Sequence, residues 1–170
     1  MPGAWFLSDD QVADVASFVK SLGTVPQPKL PGDPTRGQAV YEKERCSTCH
    51  IMAGKGNGFG PDLSIIGARR GSASLQETVL HPDRTIPEGF LMVEAVQASG
   101  ETVQGLRVNE DSFTIQIKAA SGRRYSLRKS ELKELRKLRG QTPMPSYENL
   151  LSSSEVEDLV AFLASQRGQQ

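Results

Sequence analysis

Residues 46–50, Cys46-Ser47-Thr48-Cys49-His50, decide how the rest of this chain is read. Two thiols three positions apart can add to the two vinyl groups of one haem. A His directly after the second Cys then sits beneath the iron and offers an imidazole nitrogen. The spacing therefore reads as a c-type haem attachment site. The alternatives are a dithiol redox pair, half of a zinc site, and chance. A dithiol redox pair calls for a βαβ setting, which the flanking residues do not resemble. A zinc site needs four ligands, and His81 is the only other histidine, with no further cysteine in the chain.

The flanks have their own logic. Asp33-Pro34-Thr35-Arg36-Gly37-Gln38-Ala39-Val40-Tyr41-Glu42 reads as an amphipathic helix, with Asp33 as N-cap and Pro34 at the first helical position. That helix runs into the Cys-x-x-Cys-His motif. Gly54 to Leu63, Gly-Lys-Gly-Asn-Gly-Phe-Gly-Pro-Asp-Leu, is a glycine-rich loop with no room for a long element. It lacks the Lys-Ser/Thr of a phosphate loop. A helix ending at CxxCH, followed by a loop carrying Gly-Pro-Asp-Leu, resembles the cytochrome c family. The resemblance implies that the carbonyl of Pro61 accepts a hydrogen bond from His50 and orients it. It also implies an axial methionine followed by proline and a closing helix. Met144, in Pro143-Met144-Pro145 ahead of a helical pattern from Ser152 to Ser165, matches that position. Its rivals are Met52, too near His50 to cross to the other haem face, Met92, in a β-like run, and His81, whose imidazole is chemically sound. An open sixth position is the remaining alternative.

His50 and Met144 are far apart in sequence, and the excess has a distinct pattern. Phe90 to Val96, Thr102 to Val108, Ser112 to Lys118 and Arg124 to Leu127 read as strands separated by Gly, Asn and Asp. The expected fold is a mainly α haem domain with an inserted antiparallel subdomain of three or four strands at about 90–138, α+β overall. Leu132, Leu135 and Leu138 recur at three-residue spacing, which suits a short helix or a final strand. The string CSTCH, GPDLSIIGAR, ETVLHPDRTIPEGF, a β segment and PMP resembles the haem-binding cytochrome c domains common in planctomycetes, verrucomicrobia and acidobacteria. The resemblance covers about residues 34–167.

Residues 1–23 echo the C-terminus. Leu7, Ser8, Val12, Asp14, Phe18 and Ser21 fall on Leu151, Ser152, Val156, Asp158, Phe162 and Ser165, and each stretch follows a Met-Pro. The expected organisation is therefore the tail of a preceding cytochrome domain at 1–23, a Pro-rich linker at 24–33, and the haem domain at 34–168. Met1 would then be an orphaned axial ligand, and the first helix would pack on its own domain or join a second copy in a homodimer.

Twenty basic and twenty acidic residues leave no formal net charge, so bulk charge predicts neither nucleic-acid nor membrane binding. No stretch is apolar and long enough to span a bilayer. The first residues lack a signal-peptide pattern, whereas the resemblance implies haem attachment outside the bacterial inner membrane. A periplasmic or otherwise exported protein, with a signal upstream of Met1, is the expectation. Arg123, Arg124, Arg128, Lys129, Lys133, Arg136, Lys137 and Arg139 crowd the end of the insert, as a solvated face or as a docking surface for an acidic redox protein. No catalytic constellation stands out. The leading expectation is a monohaem electron carrier rather than an enzyme, with haem c tethered by Cys46 and Cys49 and ligated by His50 and Met144. The alternatives are a gas sensor or peroxidase-like protein with a displaceable sixth ligand, and an electron-transfer domain of a larger dehydrogenase.

Overall fold

The structure, a computed structural model, describes residues 7–22, 29–87 and 89–168. In chain order it contains helices α1 (Asp9–Leu22) and α2 (Pro34–Lys43), a 3-10 turn at Cys46–Thr48, and helices α3 (Ile66–Arg69) and α4 (Ser72–Leu80). Strands β1 (Met92–Gln97), β2 (Thr102–Glu110), β3 (Thr114–Lys118), β4 (Arg124–Arg128) and β5 (Leu132–Leu138) follow, and α5 (Ser153–Ser165) closes the chain. Met1 and residues 23–28, which carry the first half of the expected linker, lie outside the described residues. No described helix is long and apolar enough to cross a membrane.

The helical half is organised by α2 against α5. Asp33 caps α2, its carboxylate accepting from the Thr35 and Arg36 backbone N–H groups at 2.7 and 3.1 Å, with Pro34 at the first position. Gly37, Val40 and Tyr41 are the buried face, the i, i+3, i+4 spacing of one helical stripe. A capping box between Ser152 and Glu155 starts α5. Its Val156, Leu159, Val160, Phe162 and Leu163 are buried in the same core. At the crossing, a Cβ on Gly37 would lie 1.9 Å from the Asp158 carbonyl oxygen, so only glycine allows this approach. The Asp158 side chain, 6% exposed, accepts from Arg36 through Nε at 2.7 Å and Nη2 at 2.8 Å, and from the Asp33 N–H at 2.7 Å. Those donors hold its carboxyl below the usual range. α3 meets α5 as closely, since a Cβ on Gly67 would be 2.1 Å from the Ala164 carbonyl oxygen.

The insert is one five-stranded antiparallel sheet in the order β4-β3-β2-β1-β5. Val93, Ala95, Val103, Ile115 and Ile117 form its core, so the alternation of Ile115 and Ile117 with polar neighbours does mark an inward face; Phe113, which the sequence sets in the same alternation, is instead 79% exposed and lies just ahead of β3. Four strands stand at the expected stretches, and a fifth completes the sheet. Residues 132–138 form that strand, not a short helix. The first leucine spacing, 132 to 135, arises because a register irregularity opposite Val96 and Gln97 skips Lys133, and the second, 135 to 138, crosses from one face of the strand to the other. Leu132 and Leu135 then share a face and pack on the Val93–Ile117 core. Leu138 faces the other way, onto Phe59, Met92 and Leu106. A bulge mimics helical periodicity here.

Glu110, at the end of β2, gathers cations from three places: Lys129 Nζ at 2.8 Å, Lys137 Nζ at 2.9 Å and Arg107 Nη1 at 3.1 Å. Hydrogen bonds from Lys129 and Lys137 lower its carboxyl from an ordinary 4.5 to about 2. Lys118 Nζ donates to the carbonyls of Gly58 at 2.8 Å and Asn57 at 3.2 Å, tying the sheet to the glycine-rich loop.

Two predictions follow from this packing. Gly37→Ala should lower stability by about 3 kcal/mol in guanidinium unfolding, the upper end of overpacking costs. An unchanged midpoint would mean that the helices can separate. Because folding depresses the Glu110 pKa, its contribution is complete above pH 4.5 and is lost as pH falls toward about 2. Acid unfolding of Glu110→Gln should therefore be flatter than that of the parent across this window, and parallel curves would remove Glu110 from the account.

Candidate functional site

The helix that leads into the attachment motif, α2, ends abruptly. Arg45 adopts a left-handed backbone (φ 53°), and Cys46–Thr48 tighten into a 3-10 turn. The His50 N–H then returns to the Cys46 carbonyl at 2.9 Å. This winding brings both thiols and the imidazole to one wall of a cavity of about 840 Å³. Neither cysteine is in a disulfide. Burial pushes the Cys46 thiol up to about 11, the opposite of the lowered pKa that characterises a reactive redox thiol.

The glycine-rich loop straps His50 in place. The ring Nδ1 lies 2.8 Å from the Pro61 carbonyl oxygen. With Nδ1–H donating to that carbonyl, Nε2 keeps its lone pair, the form a metal requires. Burial lowers the His50 pKa and so favours the neutral ring. Gly60 is pressed against the imidazole, and a Cβ there would lie 2.6, 2.8 and 3.1 Å from three of its ring atoms. Gly56 takes φ 121°, and a Cβ on it would sit 1.9 Å from the His50 carbonyl oxygen. These two positions require glycine for space, and Gly56 for its backbone angle as well.

Met144 lines the same cavity, within the Thr142–Pro145 segment. Its loop is tied down on α4. Ser146 Oγ donates to the Leu80 carbonyl at 2.6 Å, and the Tyr147 N–H donates to the Val79 carbonyl at 3.2 Å. The other sequence candidates do not line the cavity. Met52 packs beside the helical core, and Met92 is buried with Phe59 and Leu106. His81 Nδ1 is 3.9 Å from Glu148 Oε2.

Several lining residues escaped the sequence reading. Leu75, Val79, Leu159 and Leu163 make an apolar helical wall, while Phe90 and Leu106 come from the insert. Tyr41 and Tyr147 add hydroxyls, and Arg69 and Arg70 add positive charge. The Tyr41 hydroxyl is buried and has no hydrogen-bond partner among the described residues. A buried polar atom of this kind is costly unless something satisfies it, and here it belongs to a residue that lines the cavity. A large flat apolar group with carboxylate arms suits these walls. Only Tyr41, five positions before Cys46 on the buried stripe of α2, left a signal in the sequence.

A family model described as Cytochrome c matches residues 34–110. No curated protein matches the chain. The matched stretch runs from the first residue of α2 through the attachment motif and the strap to the last residue of β2, and ends before Met144. It supports the cytochrome c family, with covalently bound haem c as the cofactor and electron transfer through redox protein partners as its work. Residues 34–110 begin the helical haem domain and the sheet, in keeping with the α+β class.

Gly60→Val should crowd the imidazole and lower the fraction of low-spin haem in the purified holoprotein. Pro61→Ala should change the spectrum little, because the acceptor is a backbone carbonyl. A normal spectrum for Gly60→Val would show that His50 does not depend on this strap.

Proposed function

We propose that this chain is an exported single-haem electron carrier of the β-insert type described from its sequence. Cys46 and Cys49 would hold the haem through thioether bonds, and His50 and Met144 would ligate its iron. The observation that carries this reading is that Met144 and His50 line one cavity with both thiols, while His81, Met52 and Met92 do not. The haem would supply an iron that takes up and releases one electron. The chain's own residues do the rest. Pro61 fixes the tautomer and direction of His50. The apolar wall of Leu75, Val79, Leu159 and Leu163 excludes water, so little solvent rearranges on transfer. Arg69, Arg70 and the Tyr41 hydroxyl suit the cofactor's carboxylates.

A sensor or peroxidase-like enzyme would need Met144 to leave readily. The two hydrogen bonds that dock its loop on α4 oppose that. Membership of a larger oxidoreductase is compatible with the same site chemistry. On the surface, Arg136 is engaged by Glu94 and Glu134, and Lys129 and Lys137 by Glu110. Lys133 and Arg139 are exposed with no side-chain partner among the described residues. They are the better candidates for meeting an acidic redox partner.

The oxidised holoprotein should show an iron–sulfur charge-transfer band that Met144→Ala abolishes, and the reduced form should bind no carbon monoxide. Met144→Ala should also lower the midpoint potential by on the order of 0.1 V, a fraction of the ~0.8 V over which axial ligands act. A high-spin parent that binds carbon monoxide readily would sink the carrier reading. Lys133→Glu with Arg139→Glu should slow electron transfer to an acidic redox protein at low salt, and the difference should vanish at high salt. Equal rates at low salt would dismiss this surface.

A further inference from the structure

Helix α1 takes no part in the core described above. None of its residues is buried. Val12, Val15, Phe18, Val19 and Leu22 are 46–64% exposed, a stripe at helical spacing on one side of an otherwise polar helix. Single exposed apolar residues need no explanation, but a continuous stripe marks a contact surface.

The local geometry of α1 repeats that of α5. In α1 the Ser8 N–H donates to Gln11 Oε1 at 2.9 Å and the Gln11 N–H to Ser8 Oγ at 3.3 Å. In α5 the Ser152 N–H donates to Glu155 Oε2 at 2.9 Å and the Glu155 N–H to Ser152 Oγ at 3.3 Å. Near the other end, Ser21 Oγ donates to the Phe18 carbonyl and Ser165 Oγ to the Phe162 carbonyl, both at 2.6 Å. Between these caps Val12, Val15, Phe18 and Val19 occupy the places of Val156, Leu159, Phe162 and Leu163, all of which are buried in α5. Asp14 occupies the place of Asp158. The buried Asp158 is satisfied by Arg36 and the Asp33 N–H, whereas no side chain pairs with Asp14 among the described residues.

We propose that α1 is the closing helix of a second haem domain and that its apolar stripe seats that domain's entry helix. The occupant follows from what α5 itself binds: a helix like α2, with a capping Asp, an Arg to receive Asp14, a Gly at the crossing and an aromatic residue one turn later, leading into a second CxxCH. Its source follows from the order of elements. In the haem domain of residues 34–168 the closing helix comes last, so the elements that belong with α1 precede it in the same polypeptide. The inference rests on the haem-domain reading of α2 and α5, not on which residue ligates the iron opposite His50.

The test is to express the reading frame including the codons ahead of residue 1 in a host that attaches c-type haem. Haem is then counted per polypeptide, and peptides carrying haem are identified by mass. Two haems are expected, one on the Cys46–Cys49 peptide and one on an upstream peptide. Phe18→Asp should perturb the spectrum or potential of the upstream haem alone. The same substitution in the 170-residue chain should leave its haem unchanged. An in-frame stop directly ahead of residue 1, a single haem per polypeptide, or two haems both indifferent to Phe18→Asp would overturn the proposal. So would concentration-dependent dimerisation of the one-haem chain abolished by Phe18→Asp, which would assign the stripe to a second copy. Absence of haem from the Cys46–Cys49 peptide would instead strike the reading of this domain's own site.

Discussion

Gly37 lets the backbones of α2 and α5 approach until no Cβ fits between them, and the rest of the haem domain depends on that crossing. Because the helices touch, Asp158 can reach across and accept from both Arg36 and the Asp33 N–H. The capping residue of α2 is thereby bound to the middle of α5. A buried carboxylate left without those donors would be strongly destabilising. The arrangement is therefore specific as well as stable, since any slip of one helix along the other strands Asp158. It also fixes two distant parts of the sequence relative to one another. The attachment motif leaves the end of α2, while the Met144 loop enters the start of α5. Holding one helix on the other holds both walls of the cavity.

The sheet solves a different problem. Some sixty residues intervene between α4 and the Met144 loop, and a flexible connection of that length would leave the loop poorly placed. Antiparallel pairing of β1 with β5 brings the two ends of the insert side by side, with Met92 opposite Leu138. The chain therefore enters and leaves the insert at nearly one point. The cluster of Phe59, Met92 and Leu106, with Phe90 and Leu138 against it, plants that point on the cavity wall. The insert is thus part of the site, because Phe90 and Leu106 line the cavity.

What could be read from the sequence was what is local. The Asp33 cap and the Pro34 start depend on neighbours within four positions, and each stands in the structure as the residues suggested. The alternation of Ile115 and Ile117 exposed a strand for the same reason. Leu132, Leu135 and Leu138 were ambiguous because a bulged residue, Lys133, puts Leu132 and Leu135 on one face three positions apart, while Leu138 belongs to the other face. The composition of the cavity was hidden for a further reason. Tyr147, Leu106 and Arg69 come from three separate parts of the chain, and no periodicity within any of them records that they converge. The choice among Met144, His81, Met52 and Met92 had the same character, since it turns on where loops run and not on what flanks each residue.

The echo of α5 in α1 stands between these cases. Its caps and apolar stripe are local, so they are visible in both sequence and structure. α1 has Val12, Val15, Phe18 and Val19 in register with the buried residues of α5, and an aspartate where α5 has its ion pair, the pattern of a helix with such a surface to cover. In the described chain the Gly37 face of α2 is already covered by α5. Displacing α5 would surrender the Arg36–Asp158 pair and the Tyr41–Phe162 ring contact, whose centroids are 5.5 Å apart. α1 could offer Asp14 and Phe18 in exchange, but Val15 and Val19 are smaller than Leu159 and Leu163 and would leave voids in the core. The comparison favours α5 over α1 on the Gly37 face of α2, in keeping with the proposal of a different but similarly built partner for α1.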